Sequence, residues 1–137
     1  LARCFYRQSL EERDHALMMV QYQLDRGHKV QIPAIPAVQN DFADVQEIVD
    51  MSLAQEKEVT TQIEAIFAAA RAETYPLGEQ FMLWFLKEQV EEVASMETLV
   101  TIVKRANGNL FDIENYVARE LDENHGEDDS APAVAGS

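Results

Sequence analysis

The sequence predicts an all-α fold, a bundle of long helices joined by one long crossover, on three observations. Glycine and proline punctuation leaves three long segments, residues 1–26, 44–72 and 76–106; apolar residues in each recur at spacings of three and four; and alternating strand-type patterns are nearly absent. At 1.5 Å per residue each segment is roughly 40 Å long as a helix, and equal lengths suit a bundle.

The first segment is rich in Leu, Met, Gln, Glu and Arg, and Gly27 stands where a helix C-terminal cap belongs. It opens at Leu1-Ala2-Arg3-Cys4-Phe5, without Met and already inside the helical pattern, which predicts an N-terminally truncated sequence. Residues 28–43 carry Pro33 and Pro36 among Val30, Ile32, Ile35 and Val38, an extended run able to reach about 50 Å and so to travel the length of a bundle. A second helix should begin at Asp44, whose side chain caps the first turn while Glu47 reaches back. Pro76 suits the first turn of a third helix. The few residues around Thr74 force helices two and three to be antiparallel, whereas the crossover lets helices one and two run parallel. After Asn107-Gly108 a short helix from Asn109 to about residue 121 places Leu110, Ile113, Val117 and Leu121 on one stripe. Three long helices cannot close a four-helix bundle, so a first helix is expected to be absent from this chain. Residues 1–121 form the helical domain in this reading, and residues 122–137 an acidic disordered tail.

Eleven Lys and Arg against 25 Asp and Glu give a formal charge of −14, and residues 1–121 alone retain −9. That balance excludes nucleic acid and anionic membrane as partners and favours cations. No apolar run reaches the ~20 residues of a bilayer span, and no signal-peptide pattern is present. Cys4 is the single cysteine, read as a small apolar packing residue, so a soluble cytoplasmic protein is expected.

The helical seams are interrupted. Helix one reads Phe5, Gln8, Glu12, His15, Met19, Tyr22; helix two reads Val49, Ser52, Glu56, Val59, Ile63, Ile66, Ala70; helix three reads Met82, Phe85, Gln89, Glu92, Met96, Leu99, Val103. Each interruption falls near a helix midpoint, and midpoints meet whichever way a helix runs. Buried carboxylates cost several kcal/mol without a partner and repel one another, and no Lys or Arg sits centrally on these seams. Carboxylates, one imidazole and an amide oxygen make a mostly hard ligand set suited to iron or manganese, and several carboxylates suit two ions. The plainer alternatives are that the E-x-x-H of Glu12 and His15 is accidental, Glu56 a rim residue and Gln89 an ordinary core amide. His28 and His125 lie outside any such cluster and are read as solvated.

The run Ser9-Leu10-Glu11-Glu12-Arg13-Asp14-His15-Ala16, followed by Leu77-Gly78-Glu79-Gln80-Phe81 and Trp84-Phe85-Leu86-Lys87-Glu88-Gln89-Val90-Glu91-Glu92, resembles bacterial non-haem ferritin of the actinobacterial kind over residues 1–121. The resemblance implies a ferritin-like four-helix bundle with a long crossover and a short fifth helix, assembled as a homo-oligomeric cage of 24 subunits. It implies iron storage and detoxification by a ferroxidase: iron(II) is oxidised by dioxygen or hydrogen peroxide at a di-iron carboxylate centre and deposited as mineral in the cage. Glu12, His15, Glu56, Gln89 and Glu92 match that centre. Glu11, Glu88 and Glu91 match a third, looser iron site.

Two departures accompany it. The helix that precedes residue 1 in the family supplies a further glutamate ligand and a tyrosine, so the first iron site is incomplete within this chain and its activity is expected to be impaired. Haem-binding relatives carry Met where this chain has Arg13, and a second E-x-x-H where it has Gln89-Val90-Glu91-Glu92, so no haem is expected. The competing reading from another class is a non-catalytic structural or partner-binding helical module. A di-iron peroxidase is disfavoured by the single E-x-x-H and the absence of a C-x-x-C pair.

Overall fold

A computed structural model describes residues 1–121 and 130–136. Among these residues every regular element is helical, and no helix is long and apolar enough to cross a membrane. The chain divides into two compact units, Leu1–Asn40 with Asn124–Ser137 and Asp41–Glu123.

The first unit holds helix α1, Ala2–Asp25. Gly27 ends it with φ +73°, a conformation that glycine adopts without a Cβ penalty. The His28 N–H donates to the Gln23 carbonyl and the Gly27 N–H to the Leu24 carbonyl, both at 2.9 Å, so the last turn's carbonyls are satisfied by a Schellman arrangement. Cys4 and Met18 are buried, in keeping with the packing role expected of Cys4, and His28 is exposed. Residues 28–40 are irregular, as two prolines dictate, and Ile32, Ile35 and Val38 along them are exposed. Of the expected acidic tail, residues 122–129 and 137, His125 included, lie outside the described residues; 130–136 are turns and irregular backbone, with the Ala135 N–H donating to the Leu17 carbonyl at 3.3 Å.

The second unit is a helical hairpin with an extension. Helix α2 spans Val45–Ala72 and helix α3 Pro76–Ala106. At the start of α2 the Asp44 carboxylate accepts the Glu47 N–H at 2.9 Å, and the Glu47 carboxylate reaches back to the Ala43 N–H at 2.6 Å. This is the reciprocal capping expected of the pair, with Glu47 reaching one residue further than the standard box. Three residues link the helices. Tyr75 donates to the Ala70 carbonyl at 2.8 Å and Thr74 to that of Arg71 at 3.0 Å, a second Schellman closure with Thr74 at φ +54° in the position usually held by glycine.

Pairs across the hairpin fix its direction. Lys104 meets Asp50 at 3.8 Å, Lys57 meets Glu97 at 2.8 Å and Arg71 meets Glu79 at 3.2 Å, so numbers fall on α3 as they rise on α2. The hairpin is antiparallel, as the short link predicts. Val49 and Ile63 of α2, and Met82, Phe85, Met96, Leu99, Val100 and Val103 of α3, are buried, and Phe85 takes Phe81 and Trp84 edge-on at 5.2 and 4.9 Å between ring centroids. Asn107 at φ +47° and Gly108 at φ +82° end α3. Helix α4, Leu110–Tyr116, then starts with the Asn109 side chain accepting the Phe111 N–H at 3.1 Å, and widens into a π-helical turn over Val117–Leu121. Ile113 and Val117 are buried as the stripe predicts, whereas Leu110, the first residue of the helix, is 52% exposed.

Candidate metal centre

On α1, Glu12 and His15 occupy neighbouring turns of one face. The spacing of three brings His15 Nδ1 to 3.7 Å from Glu12 Oε2, with the imidazole 15% exposed and the carboxylate 40% exposed. Both donors can therefore address one ion. Glu11, the adjacent residue, points its carboxylate toward Arg7 Nε at 3.7 Å.

The second unit assembles its own group from α2 and α3. Glu56 is 6% exposed and Gln89 is 3% exposed, both within a seam otherwise made of apolar side chains. Gln89 is oriented at both ends: its Oε1 accepts from the Thr60 hydroxyl at 2.7 Å, and its Nε2 donates to Glu92 Oε2 in a short contact. An ionised carboxylate only accepts, so the amide nitrogen has to face Glu92 and the oxygen Thr60. The Thr60 hydroxyl also lies 2.8 Å from the Glu56 main-chain carbonyl, four residues back on the same helix. Gln89 is thus bonded to Glu92 and, through Thr60, tied to the main chain of Glu56 near the middle of the hairpin. Glu88 is half-buried with Lys87 Nζ at 3.9 Å, and Glu91 is exposed, three residues further along α3.

Thr60 was not on the expected seam. Counting by threes and fours from Glu56 leads through Val59 to Ile66, but Ile66 is 49% exposed, and the stripe between Glu56 and Ala70 instead runs through Thr60, Ile63 and Phe67. Phe67 packs its ring under the Arg71 guanidinium at 4.7 Å. Both runs, through Thr60 and Phe67 or through Val59 and Ile66, average the same helical spacing and share Ile63, so spacing alone does not choose between them, and the partial burial of Phe67 against the exposure of Ile66 does. A hydroxyl on the buried stripe at four residues from a buried acid marks a polar neighbourhood rather than a flaw in the pattern.

The donors suit the ions proposed. Carboxylate oxygens, an amide oxygen and one imidazole fit first-row ions such as iron or manganese, and acids on neighbouring helical turns can share an ion or exchange between two. A site for a soft metal would need thiolates, and Cys4 is the chain's single cysteine.

Comparison with known proteins agrees with this chemistry. Residues 1–106 match the family model described as the ferritin-like domain. The chain is 54% identical over 136 residues to Ferritin BfrB of Mycolicibacterium smegmatis, covering 99% of this chain and 75% of that protein. It is 50% identical to Ferritin BfrB of Mycobacterium tuberculosis over 137 residues, covering 100% of this chain and 72% of the relative. Among solved structures, an open pore ferritin of the archaeon Archaeoglobus fulgidus superposes with a TM-score of 0.76 at 25% identity, over 82% of this chain and 72% of that one.

Proposed function

The chain belongs to the ferritin family, and from that premise we propose that it takes up iron(II), oxidises it to iron(III) at a di-iron carboxylate centre and stores the product as mineral inside a protein cage. Iron storage is the function that kinship supports. The observation that carries the reading within this chain is the group of Glu56, Gln89 and Glu92: an acid and an amide buried in an apolar helix seam are costly for a protein that has only to pack.

The roles follow from the donors. Glu12 and His15 hold one iron, with Glu12 able to bridge, and Glu56, Glu92 and the amide of Gln89 serve the second. Anionic oxygen ligands favour iron(III) over iron(II), which drives the oxidation, and a carboxylate shell that exchanges readily lets the product leave. Two iron(II) ions supply two electrons, enough to reduce dioxygen to hydrogen peroxide or hydrogen peroxide to water. Glu11, Glu88 and Glu91 form a looser third site on the way out. Residues 1–121 act as one helical domain, and 24 copies form the cage, in the cytoplasm and without haem. The excess of 25 acids over 11 basic residues concentrates cations at such a shell.

Iron(II) added in air to the purified, assembled protein tests the reading. A rapid rise in ferric absorbance and an iron core that co-elutes with soluble protein are expected. A non-catalytic helical module gives neither, and its iron precipitates at the rate seen in buffer.

A further inference from the structure

Thr60 has one hydroxyl proton and two acceptors within reach, Gln89 Oε1 at 2.7 Å and the Glu56 carbonyl at 2.8 Å. It can donate to one at a time while its oxygen still accepts. We propose that Thr60 is a positioning residue for Gln89, a two-way partner that lets the amide present nitrogen or oxygen toward Glu92 with no buried polar atom losing its hydrogen bond.

With Glu92 ionised and no cation present, the amide nitrogen faces that carboxylate and the amide oxygen takes the Thr60 proton. A cation held by Glu92 and Glu56 reverses the preference, since it repels the N–H dipoles and attracts the oxygen. A half-turn about the terminal side-chain bond of Gln89 exchanges the two ends. Its nitrogen then donates to the Thr60 oxygen, and the Thr60 proton goes to the Glu56 carbonyl, which is already at bonding distance. No other atom need move. The two arrangements differ in strength: an amide whose oxygen binds a cation is a more polarised N–H donor, and charge-assisted hydrogen bonds are about twice as strong as neutral ones. Removing the Thr60 oxygen therefore costs the loaded site more than the empty one, and metal binding weakens.

The inference rests on Gln89 being a metal ligand, and the experiment separates the two claims. Zinc(II), redox-inert, is titrated calorimetrically into the assembled protein as parent, Thr60→Val, Thr60→Ala, Thr60→Ser, Gln89→Leu and Thr60→Val with Gln89→Leu. Thr60→Val and Thr60→Ala should weaken the site about threefold to tenfold, and Thr60→Ser, which keeps the hydroxyl, should stay within about twofold of the parent. In the Gln89→Leu background, Thr60→Val should change nothing further. If Gln89→Leu binds zinc like the parent, the assignment of Gln89 as a ligand falls and the inference falls with it. If Gln89→Leu weakens binding but Thr60→Val and Thr60→Ala do not, or if Thr60→Val acts equally in both backgrounds, the assignment stands and the positioning role is wrong. The alanine variant, smaller and free of branching, decides the matter should the valine variant not fold.

Discussion

The Tyr75 ring lies directly over Gly78: a Cβ built on residue 78 would come 2.5 Å from Cδ1 of that ring and 3.2 Å from the Ala70 Cβ. Glycine in a helix is normally a cost of about 1 kcal/mol relative to alanine. Here it makes room for the aromatic residue that closes the α2–α3 link. Gly78→Ala should therefore destabilise, because overpacking of about 1–3 kcal/mol outweighs the gain in helix propensity. A lower urea midpoint with an unchanged slope is the expected result, and a higher midpoint would show that the ring yields without cost.

Thr74 gives the opposite sign. It is a β-branched residue at φ +54°, exposed at the turn and holding a Schellman closure, where a Cβ costs roughly 1–2 kcal/mol. Thr74→Gly removes that cost but adds freedom to the unfolded chain, so a net gain of about 0.5–1 kcal/mol is expected. Thermal melts of the two variants, at residues 74 and 78, should move in opposite directions.

Glu56→Leu separates the stability of the hairpin from its chemistry. The carboxylate is 6% exposed, and replacing a buried charge with a packed apolar group of similar volume commonly stabilises by about 1–4 kcal/mol. Without metal the variant should melt higher than the parent. Zinc(II) should raise the parent's melting temperature and do so much less for the variant, since the ligand that couples binding to folding is gone. Equal stabilisation of both by zinc would remove Glu56 from the site.

Glu12→Ala and His15→Ala should each abolish fast iron(II) oxidation and leave the oligomer intact. Both side chains sit at their own level of α1, 3.7 Å apart, and neither is needed to cap or close the helix. Stopped-flow absorbance checks the first expectation and size-exclusion chromatography the second. An assembly defect that accompanied the loss of rate would assign these residues a structural task.

Much of this architecture was legible in the sequence, and for particular reasons. Gly27, the pair Asp44 and Glu47, and Asn107-Gly108 mark helix ends because each supplies a group that backbone ends lack or a dihedral that other residues resist. The polar residues Glu56 and Gln89 were legible because they break an apolar stripe at comparable depth. Thr60 was not, since positions three and four residues after Glu56 both satisfy helical spacing, and valine at 59 is the more apolar of the two. Thr74 could not be read as a helix terminator either: its position is imposed by the closure around it, against its own preference.

Of the three ion pairs along α2 and α3, Asp50–Lys104 lies on one side of Glu56 and Gln89 and Arg71–Glu79 on the other, with Lys57–Glu97 next to Glu56. Their polarity is mixed: α2 contributes anion, cation, cation and α3 the complement. Singly, exposed pairs are worth about 0–1 kcal/mol. Jointly they work as a vernier. Sliding one helix by a single turn, about 5.4 Å, unmatches all three together. A three-residue link makes the hairpin a product of short-range search, which is the fast kind. The depth of Glu56 on one helix relative to Gln89 on the other is thus set by cheap charges at the rim, so on the function proposed a cation would find these two residues already in register and would not be asked to act as a template for folding.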